Sequence, residues 1–195
     1  MSQHEGPAVA GGDEQSLRAR AEMVAVRVRR QLRDYPDFPR PGILFRDIVP
    51  LFRDQALLAE VVEVFAEQAD AVGAQKIAGI ESRGFLFGVP VCLRLGIPFI
   101  PVRKQGKLPG ETVSAEYNLE YGNAHLELQA DAVRPGERIV IVDDLLATGG
   151  TAAATSSLIE ELGGIVGGIH VLVELAALPG RDAIRPYNVF ALLTL

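Results

Sequence analysis

Two kinds of hydrophobic pattern alternate along the chain. Residues 15–33 and the residues that follow Asp54 carry apolar side chains every three to four positions, which predicts two helices with one buried face. The run from Ile139 to Val142 is instead continuously apolar and β-branched, a composition typical of a strand covered on both faces. The chain therefore mixes helices with fully buried strands.

From residue 76 onwards, predicted strands and helices follow one another in turn. The patterns predict strands over residues 76–80, 97–102, 138–142, 165–173 and 189–193, and helices over 84–95 and 151–162. Such alternation is typical of an α/β fold with a doubly wound, mainly parallel sheet flanked by helices.

Two polar segments interrupt this pattern. Residues 35–50 contain four prolines and are predicted to form a shaped loop, because proline disrupts a regular helix. Residues 104–124 are polar, contain Pro109 and Gly110, and are long for a connection, which favours a movable lid. Residues 1–14 lack periodicity and are predicted to be a mobile tail preceding a single domain over 15–195.

Composition narrows the class of protein. A length of 195 residues suits one domain, and the net charge of −6 disfavours nonspecific binding to nucleic acid. The lone Cys92 lies in an apolar run and is predicted to be a buried hydrophobic residue in a reducing compartment. We find no apolar stretch of membrane-spanning length and no signal peptide, so we expect a soluble cytoplasmic protein without a membrane partner.

The strongest functional signal follows the strand 139–142. Gly149 and Gly150 allow main-chain N–H groups to approach a ligand closely, and Thr148 and Thr151 add hydroxyl groups. A helix is predicted to begin here, so its free N–H groups and positive dipole end would face the same place. This combination predicts a site for a monophosphate.

Asp143 and Asp144 precede that turn and would repel a phosphate. Two carboxylates at a strand end suit the vicinal hydroxyls of a ribose, or a magnesium ion. A Walker motif is excluded because Gly150 is followed by Thr151 rather than lysine, and the GxGxxG spacing of dinucleotide sites is absent. The predicted ligand is therefore a ribose 5-phosphate.

Two further segments indicate binding of a second anionic group. Ser82, Arg83 and Gly84 follow the strand 76–80 and combine a hydroxyl, a guanidinium and a backbone that a ligand can approach closely. An ordinary capped helix with a surface arginine would have the same sequence. Arg103, Lys104 and Lys107 cluster after the next strand, either as anion ligands or as solvated charges.

Together these motifs resemble those of the type I phosphoribosyltransferases, over about residues 35–195. The resemblance implies that Ala147 to Thr151 bind the 5-phosphate and that Asp143 and Asp144 bind the ribose. It implies a diphosphate site, with a cis peptide between Glu81 and Ser82, formed by Ser82, Arg83, Arg103, Lys104 and Lys107. It also implies Mg2+ carried mainly by the substrate, and a homodimer.

The segment Phe38 to Ile48 is similar to the base-covering hood of the adenine-specific members of that family. The hood, residues 35–50, would supply Leu44 and Arg46 to the adenine site, with Leu145 as an apolar wall. The arm, residues 104–124, would carry Glu120 as the general acid/base that handles the N9 proton. The implied reaction joins adenine to 5-phosphoribosyl 1-diphosphate and gives AMP and diphosphate.

Two alternatives remain open at this level. A transferase for hypoxanthine, guanine or xanthine would require different hydrogen bonds at the oxo position of the base. A regulator that senses the sugar diphosphate and binds DNA would require a DNA-binding domain, which we do not find, and the acidic charge disfavours it.

His4, His125 and His170 have no companions at metal-ligand spacing, so we expect structural roles for them.

Overall fold

A computed structural model describes residues 11–119 and 122–195 of the chain. The chain divides into two compact units, Met1–Leu58 and Ala59–Leu195. Among the helices in the described part of the chain, none combines the length and apolar character needed to cross a membrane. The single domain predicted over 15–195 stays a prediction, and residues 1–10 of the predicted tail lie outside the described ranges.

The first unit contains one long helix and a small sheet. Helix α1, Gly11–Gln31, begins four residues before the predicted start and buries Val24 and Val28 on its apolar face. A 3-10 helix, Val49–Arg53, precedes helix α2, Gln55–Ala71. Asp54 caps α2, because its carboxylate accepts a hydrogen bond from the Leu57 N–H at 3.0 Å.

The proline-rich segment 35–50 is more regular than the predicted loop. Strands β1, Arg33–Pro36, and β2, Leu44–Asp47, pair antiparallel and make a hairpin. At its tip Asp37 has a φ of 58° and accepts a hydrogen bond from the Gly42 N–H at 2.7 Å. The Phe38 ring packs edge-on against Phe45, with centroids 5.2 Å apart. These local contacts compensate for the hydrogen-bond donors that the prolines lack.

The second unit is built on a seven-stranded sheet. Its strands are β3, Lys76–Ile80; β4, Phe99–Lys104; β5, Thr112–Leu119; β6, Gly122–Gln129; β7, Arg138–Leu146; β8, Ile165–Glu174; and β9, Val189–Thr194. The spatial order is β5-β6-β4-β3-β7-β8-β9, and the five strands from β4 to β9 run parallel. The helices of this unit after α2 are α3, Arg83–Leu95; α4, Gly150–Glu161; and the short α5, Gly180–Ala183. The predicted α/β class with a mainly parallel sheet is confirmed.

Part of the predicted arm is sheet rather than loop. Strands β5 and β6 form an antiparallel hairpin, and β6 pairs with β4 through Arg103 and Lys104. Side chains on one face of β5, at Val113, Ala115 and Tyr117, pack against the core, while the positions between them are more exposed or polar. This two-residue period is the signature of a strand with one covered face, and the polar composition of the segment obscured it.

The direction of chain progression reverses between β3 and β7. The chain moves from β3 outward to β4, and later from β7 outward in the opposite direction to β8 and β9. Parallel sheets bind ligands at the carboxyl ends of the strands that flank such a switch point. The loops after β3 and β7 therefore lie where a ligand site is expected, and both carry motifs identified in the sequence.

Candidate active site

A notch opens at the carboxyl end of the sheet, because β7 extends further than its neighbour β3. The β3–β7 pairing ends at Gly79 opposite Val142, whereas the β7–β8 pairing continues to Leu146 opposite Glu174. Strand β7 thus extends four residues beyond the predicted end. Asp143 and Asp144 consequently lie inside the strand but beyond its partner β3, facing the opening.

A pocket of about 350 Å3 occupies this notch. It brings together seven residues that the sequence predicted for the site, namely Ser82, Arg83, Lys104, Asp143, Asp144, Leu145 and Thr151. Ile80, Glu81, Tyr117 and Leu126 complete its lining. Residues far apart in the chain thus share one cavity rich in charged groups.

Gly84 brings the two motif-bearing loops together. A Cβ atom on Gly84 would lie 2.6 Å from the Val142 carbonyl oxygen and 3.2 Å from Oδ1 of Asp143. Only glycine allows the start of α3 to approach β7 so closely. The loop after β3 and the carboxylates of β7 are therefore held as one unit.

The two carboxylates at the notch differ in their surroundings. Asp144 is buried and accepts a hydrogen bond from Nε of Arg83, which also makes an ion pair with it. Asp143 accepts a hydrogen bond from the Asp144 backbone N–H at 2.8 Å. Burial and the neighbouring Asp144 charge raise the pKa of Asp143 well above its ordinary value. Arg83 offsets part of the negative charge of the pair.

Arg103 and Lys104, predicted to follow the strand 97–102, are the last two residues of β4, and both contact the loop after β3. Arg103 donates from Nε to Oε2 of Glu81 at 3.1 Å, and the Lys104 N–H donates to the same oxygen at 3.1 Å. These bonds and the Arg103 charge lower the pKa of Glu81, with the Arg103 hydrogen bond as the main cause. Arg103 also donates from Nη1 to the Lys107 carbonyl at 2.9 Å. The adjoining Glu81–Ser82 peptide is cis, as the family resemblance implied.

A second cavity of about 70 Å3 lies beside the notch and is lined by Ala147, Thr148, Gly149 and Thr151. We call residues 147–151 the phosphate turn, after the ligand that the sequence analysis predicts for them. Gly149 has a φ of +82° and is the residue that precedes α4, so the free N–H groups at the start of that helix adjoin the cavity. Gly150 is the first residue of α4 and borders a neighbouring groove with Thr148.

Tyr117 is a pocket residue that the sequence analysis missed. It lies on β5 and lines both the notch and the groove beside α4. Burial and the nearby Asp143 charge raise the pKa of its hydroxyl. The alternation of Val113, Ala115 and Tyr117 along β5 was the available signal.

Several predicted residues are not placed in the notch. Glu120 lies outside the described residues. Leu44 and Arg46 belong to the first unit, where Leu44 is exposed and Arg46 makes an ion pair with Asp34 across the hairpin. Lys107 is exposed and, like Arg103, does not line the described pocket. Within 11–119 and 122–195, no cluster of three or more His, Cys, Asp or Glu side chains is arranged for a metal ion.

Comparison with known proteins places this geometry in a family. A family profile described as "Phosphoribosyl transferase domain" matches residues 53–193. The adenine phosphoribosyltransferase of Frankia casuarinae is 53% identical over 174 residues, covering 89% of this chain and 93% of the relative. The enzyme of the same name from Frankia alni is 51% identical over 177 residues, covering 91% and 94%.

Solved structures agree with the sequence relatives. Adenine phosphoribosyltransferase from Thermoanaerobacter pseudethanolicus superposes with a TM-score of 0.85 at 47% identity, covering 88% of this chain and 99% of that one. The enzyme from Saccharomyces cerevisiae, solved with an imino-altritol bisphosphate and adenine, gives a TM-score of 0.84 at 42% identity, with coverage of 88% and 99%.

Proposed function

Because the chain belongs to the phosphoribosyltransferase family, and within it to the adenine phosphoribosyltransferases, we propose that it makes AMP from adenine and 5-phosphoribosyl 1-diphosphate. N9 of adenine attacks C1 of the ribose, the bond from C1 to the diphosphate oxygen breaks, and diphosphate leaves. The reaction is a step of purine salvage. The observation that carries the proposal is the meeting of two carboxylates, a cationic loop and the phosphate turn at one switch point.

The phosphate turn and the carboxylates bind opposite ends of the ribose 5-phosphate. The turn offers hydroxyls from Thr148 and Thr151 and main-chain N–H groups at the start of α4 for the 5-phosphate. Asp143 and Asp144 accept hydrogen bonds from the ribose hydroxyls. Since the two cavities share Asp143 and Thr151, one molecule spans both.

The diphosphate lies on the side of the notch formed by Ser82, Arg83 and Lys104. In the free protein the Arg83 guanidinium is paired with Asp144. When the ribose diol binds Asp144, Arg83 turns to the arriving diphosphate, so a new ion pair replaces the old one. Arg103 acts from behind by holding Glu81, and Lys107 adds positive charge from the exposed loop.

Magnesium fits this site as a substrate-borne ion. The donor set nearest the ligand consists of the carboxylates of Asp143 and Asp144, which suits an ion that keeps waters and phosphate oxygens as its other ligands. When bound, the ion spreads the negative charge that builds up on the leaving diphosphate. Asp143 and Asp144 would hold the ion beside the sugar that they orient.

The proton and the base are handled by residues proposed from the family motifs. Glu120 accepts the N9 proton of adenine as N9 attacks. Leu44 and Arg46 of the hood and Leu145 of the pocket contact the adenine ring. Catalysis arises chiefly from holding the two reactants together and stabilising the departing charge.

We also propose that the protein works as a homodimer. Helix α3 exposes an apolar stripe formed by Leu86, Val89 and Leu93, with exposed fractions of 47%, 40% and 80%. Side chains of this kind at helical spacing suit burial against a second copy. Sedimentation equilibrium of the protein and of Leu93→Glu tests this: wild-type dimers and mutant monomers support it, and a monomeric wild type refutes it.

The reaction itself is tested by a competition assay. Adenine, hypoxanthine, guanine and xanthine are offered together with 5-phosphoribosyl 1-diphosphate and Mg2+, and AMP is expected as the main product. Preferential formation of another nucleotide would overturn the choice of base. Asp144→Ala should lose most turnover while remaining folded by circular dichroism, whereas Asp131→Ala, at an exposed loop, should retain it. Near-normal turnover of Asp144→Ala would remove Asp144 from the site.

A further inference from the structure

A segment that does not line the described ligand cavities packs directly behind the phosphate turn. We call residues 178–183, which include α5, the backing segment. A Cβ on Gly149 would lie 2.5 Å from the Gly180 carbonyl oxygen and 2.9 Å from Cβ of Ala183. A Cβ added to Gly180 would in turn collide with the Ala147 carbonyl oxygen. The two backbones therefore lie in direct contact at Gly149 and at Gly180.

Because of this close approach, a shift of the backing segment would also shift the phosphate turn. The turn offers its N–H groups to an anion only when the peptide units from Ala147 to Gly149 keep their orientation. Because Gly180 contacts the carbonyl side of this turn, its height above the sheet sets how far the turn can retreat from the ligand. Whatever fixes residues 180 and 181 thus also fixes the phosphate turn.

Arg181 and Glu174 provide that attachment. Arg181 donates from Nε and Nη2 to the two carboxylate oxygens of Glu174, at 2.7 and 2.6 Å. Its Nη1 also donates to the Val189 carbonyl of β9 at 3.3 Å. A bidentate guanidinium–carboxylate pair fixes both distance and orientation, unlike a single ion pair.

Glu174 is itself rigidly placed. It is the last residue of β8, is buried, and pairs with Leu146 of β7 on one side and Thr194 of β9 on the other. Leu146 immediately precedes the phosphate turn, and its carbonyl accepts a hydrogen bond from the Leu175 N–H at 3.0 Å. The strand that carries the turn and the segment behind the turn are therefore joined through one carboxylate.

We propose that Arg181 and Glu174 are positioning residues for the 5-phosphate subsite. They do not line the described ligand cavities, and they act by holding Gly180 against the turn. This inference rests on the proposed function of the turn. Its consequence is specific: loosening the pair weakens binding of the phosphorylated sugar and leaves adenine binding unchanged.

The test measures both Michaelis constants in the full-length protein. Arg181→Ala and Glu174→Gln should raise the KM for 5-phosphoribosyl 1-diphosphate about tenfold, the scale of losing one charge-assisted hydrogen bond, with less than about twofold change in the KM for adenine. Arg181→Lys keeps the positive charge but cannot make the bidentate pair, so its KM for 5-phosphoribosyl 1-diphosphate should lie between those of the wild type and Arg181→Ala. Arg185→Ala is the matched control, since it removes an exposed arginine paired with Asp182 on the same segment.

The outcomes separate positioning from general stability. A merely structural role would lower the fraction of active enzyme, so kcat would fall while both KM values stayed at the wild-type level; that result overturns the proposal. If Arg181→Ala does not fold, the same comparison is made with Arg181→Lys and Glu174→Gln. Equal rises in both KM values would also refute it.

Calorimetric titration with ribose 5-phosphate separates this inference from the proposed function. An active wild type whose Arg181 variants bind ribose 5-phosphate normally refutes only the positioning role. A wild type that forms no AMP refutes the proposed reaction, while weaker ribose 5-phosphate binding by the variants would still support the link between the backing segment and the turn.

Discussion

The phosphate turn and the β5–β6 hairpin both border the pocket region, yet their backbones are held in different ways. The turn follows a strand whose residues Ile139 to Val142 are fully buried, and Gly180 packs against it from behind. The hairpin lies at the end of the sheet, and Gly106 and Gly110, in the connection that leads from β4 into it, have open space where a Cβ would be. The turn is confined by packing on several sides, whereas the hairpin is covered on one face and is bounded by no further strand beyond β5.

This difference suggests a division of labour. A confined turn can hold an anion in one place, because its N–H groups are already oriented before the ligand arrives. A hairpin that ends the sheet and has one uncovered face is less confined than the turn, which suits a group that must exclude water and then release product. We therefore expect changes in the turn to affect sugar-phosphate binding and changes in the hairpin to affect turnover.

The largest effect is expected at Glu120, which follows the described end of β5 in the sequence. Glu120→Gln removes the proposed proton acceptor, so kcat should fall by about 100-fold or more while the KM for adenine changes little. Steady-state kinetics at saturating 5-phosphoribosyl 1-diphosphate would measure this. Glu116→Gln, four residues earlier on β5, is a control expected to retain most activity. An unchanged kcat in Glu120→Gln would show that Glu120 takes no part in the proton transfer.

The next effect compares the same substitution in the phosphate turn and in the connection between β4 and β5. Gly149→Ala adds a Cβ at positive φ against Gly180 and should reduce kcat/KM for 5-phosphoribosyl 1-diphosphate by about tenfold to 100-fold through displacement of the turn. It should also lower the free energy of unfolding by about 1 to 3 kcal/mol. Gly110→Ala, also at positive φ but in open space, should cost only about 1 kcal/mol and leave kcat/KM unchanged. Equal kinetic effects of the two variants would abolish the contrast.

A smaller effect is expected where the two regions meet. Tyr117 of β5 lies near Asp143, so Tyr117→Phe should raise the KM for 5-phosphoribosyl 1-diphosphate about fivefold, the equivalent of one neutral hydrogen bond. Tyr187→Phe serves as the control, because its hydroxyl contacts Glu160 at 2.9 Å away from the described pocket lining. The idea fails if both variants behave alike in substrate titrations.

The last prediction concerns the folding stability at acid pH, which should depend on the buried His170. Activity at neutral pH should not depend on it. Burial among Phe65 and Phe190 lowers the pKa of His170 to about 4, from an ordinary value of 6.5. The unfolded chain takes up a proton below pH 6.5, whereas the folded chain does so only near pH 4. Folding stability should therefore fall as the pH drops through this window, by at most about 3 kcal/mol.

His170→Leu removes this titrating group. Urea unfolding of the wild type and the variant between pH 7 and pH 4 measures the difference in their pH dependence. A flatter profile in His170→Leu is expected, and identical slopes would show that His170 does not set the acid limit.

The contrast between the regions also explains what the sequence could predict. The uniform β-branched run before Asp143 and the glycines after it constrain the backbone so strongly that strand, turn and helix follow from local chemistry. The hairpin was predicted as a polar loop, because strands with one exposed face have an ambiguous composition. Its register depends on pairing with β4, which no local pattern encodes.

The pairing of charges was likewise beyond the sequence. Arg83 and Asp144 are 61 positions apart, and Arg103 and Glu81 are 22 apart. Such pairs form only because parallel strands end side by side, so they follow from topology rather than from spacing along the chain. The residue types at the site were predictable, but the partners of the cations were not.

The contact at Gly84 bears on how such a protein can change its substrate. Because the start of α3 rests on the Val142 carbonyl with no room for even a methyl group, the floor of the proposed sugar site is rigid. Variation that favours a new base can arise in outlying loops one residue at a time. Accepting a bulkier pentose would instead require α3 and β7 to separate, a change that single substitutions do not provide.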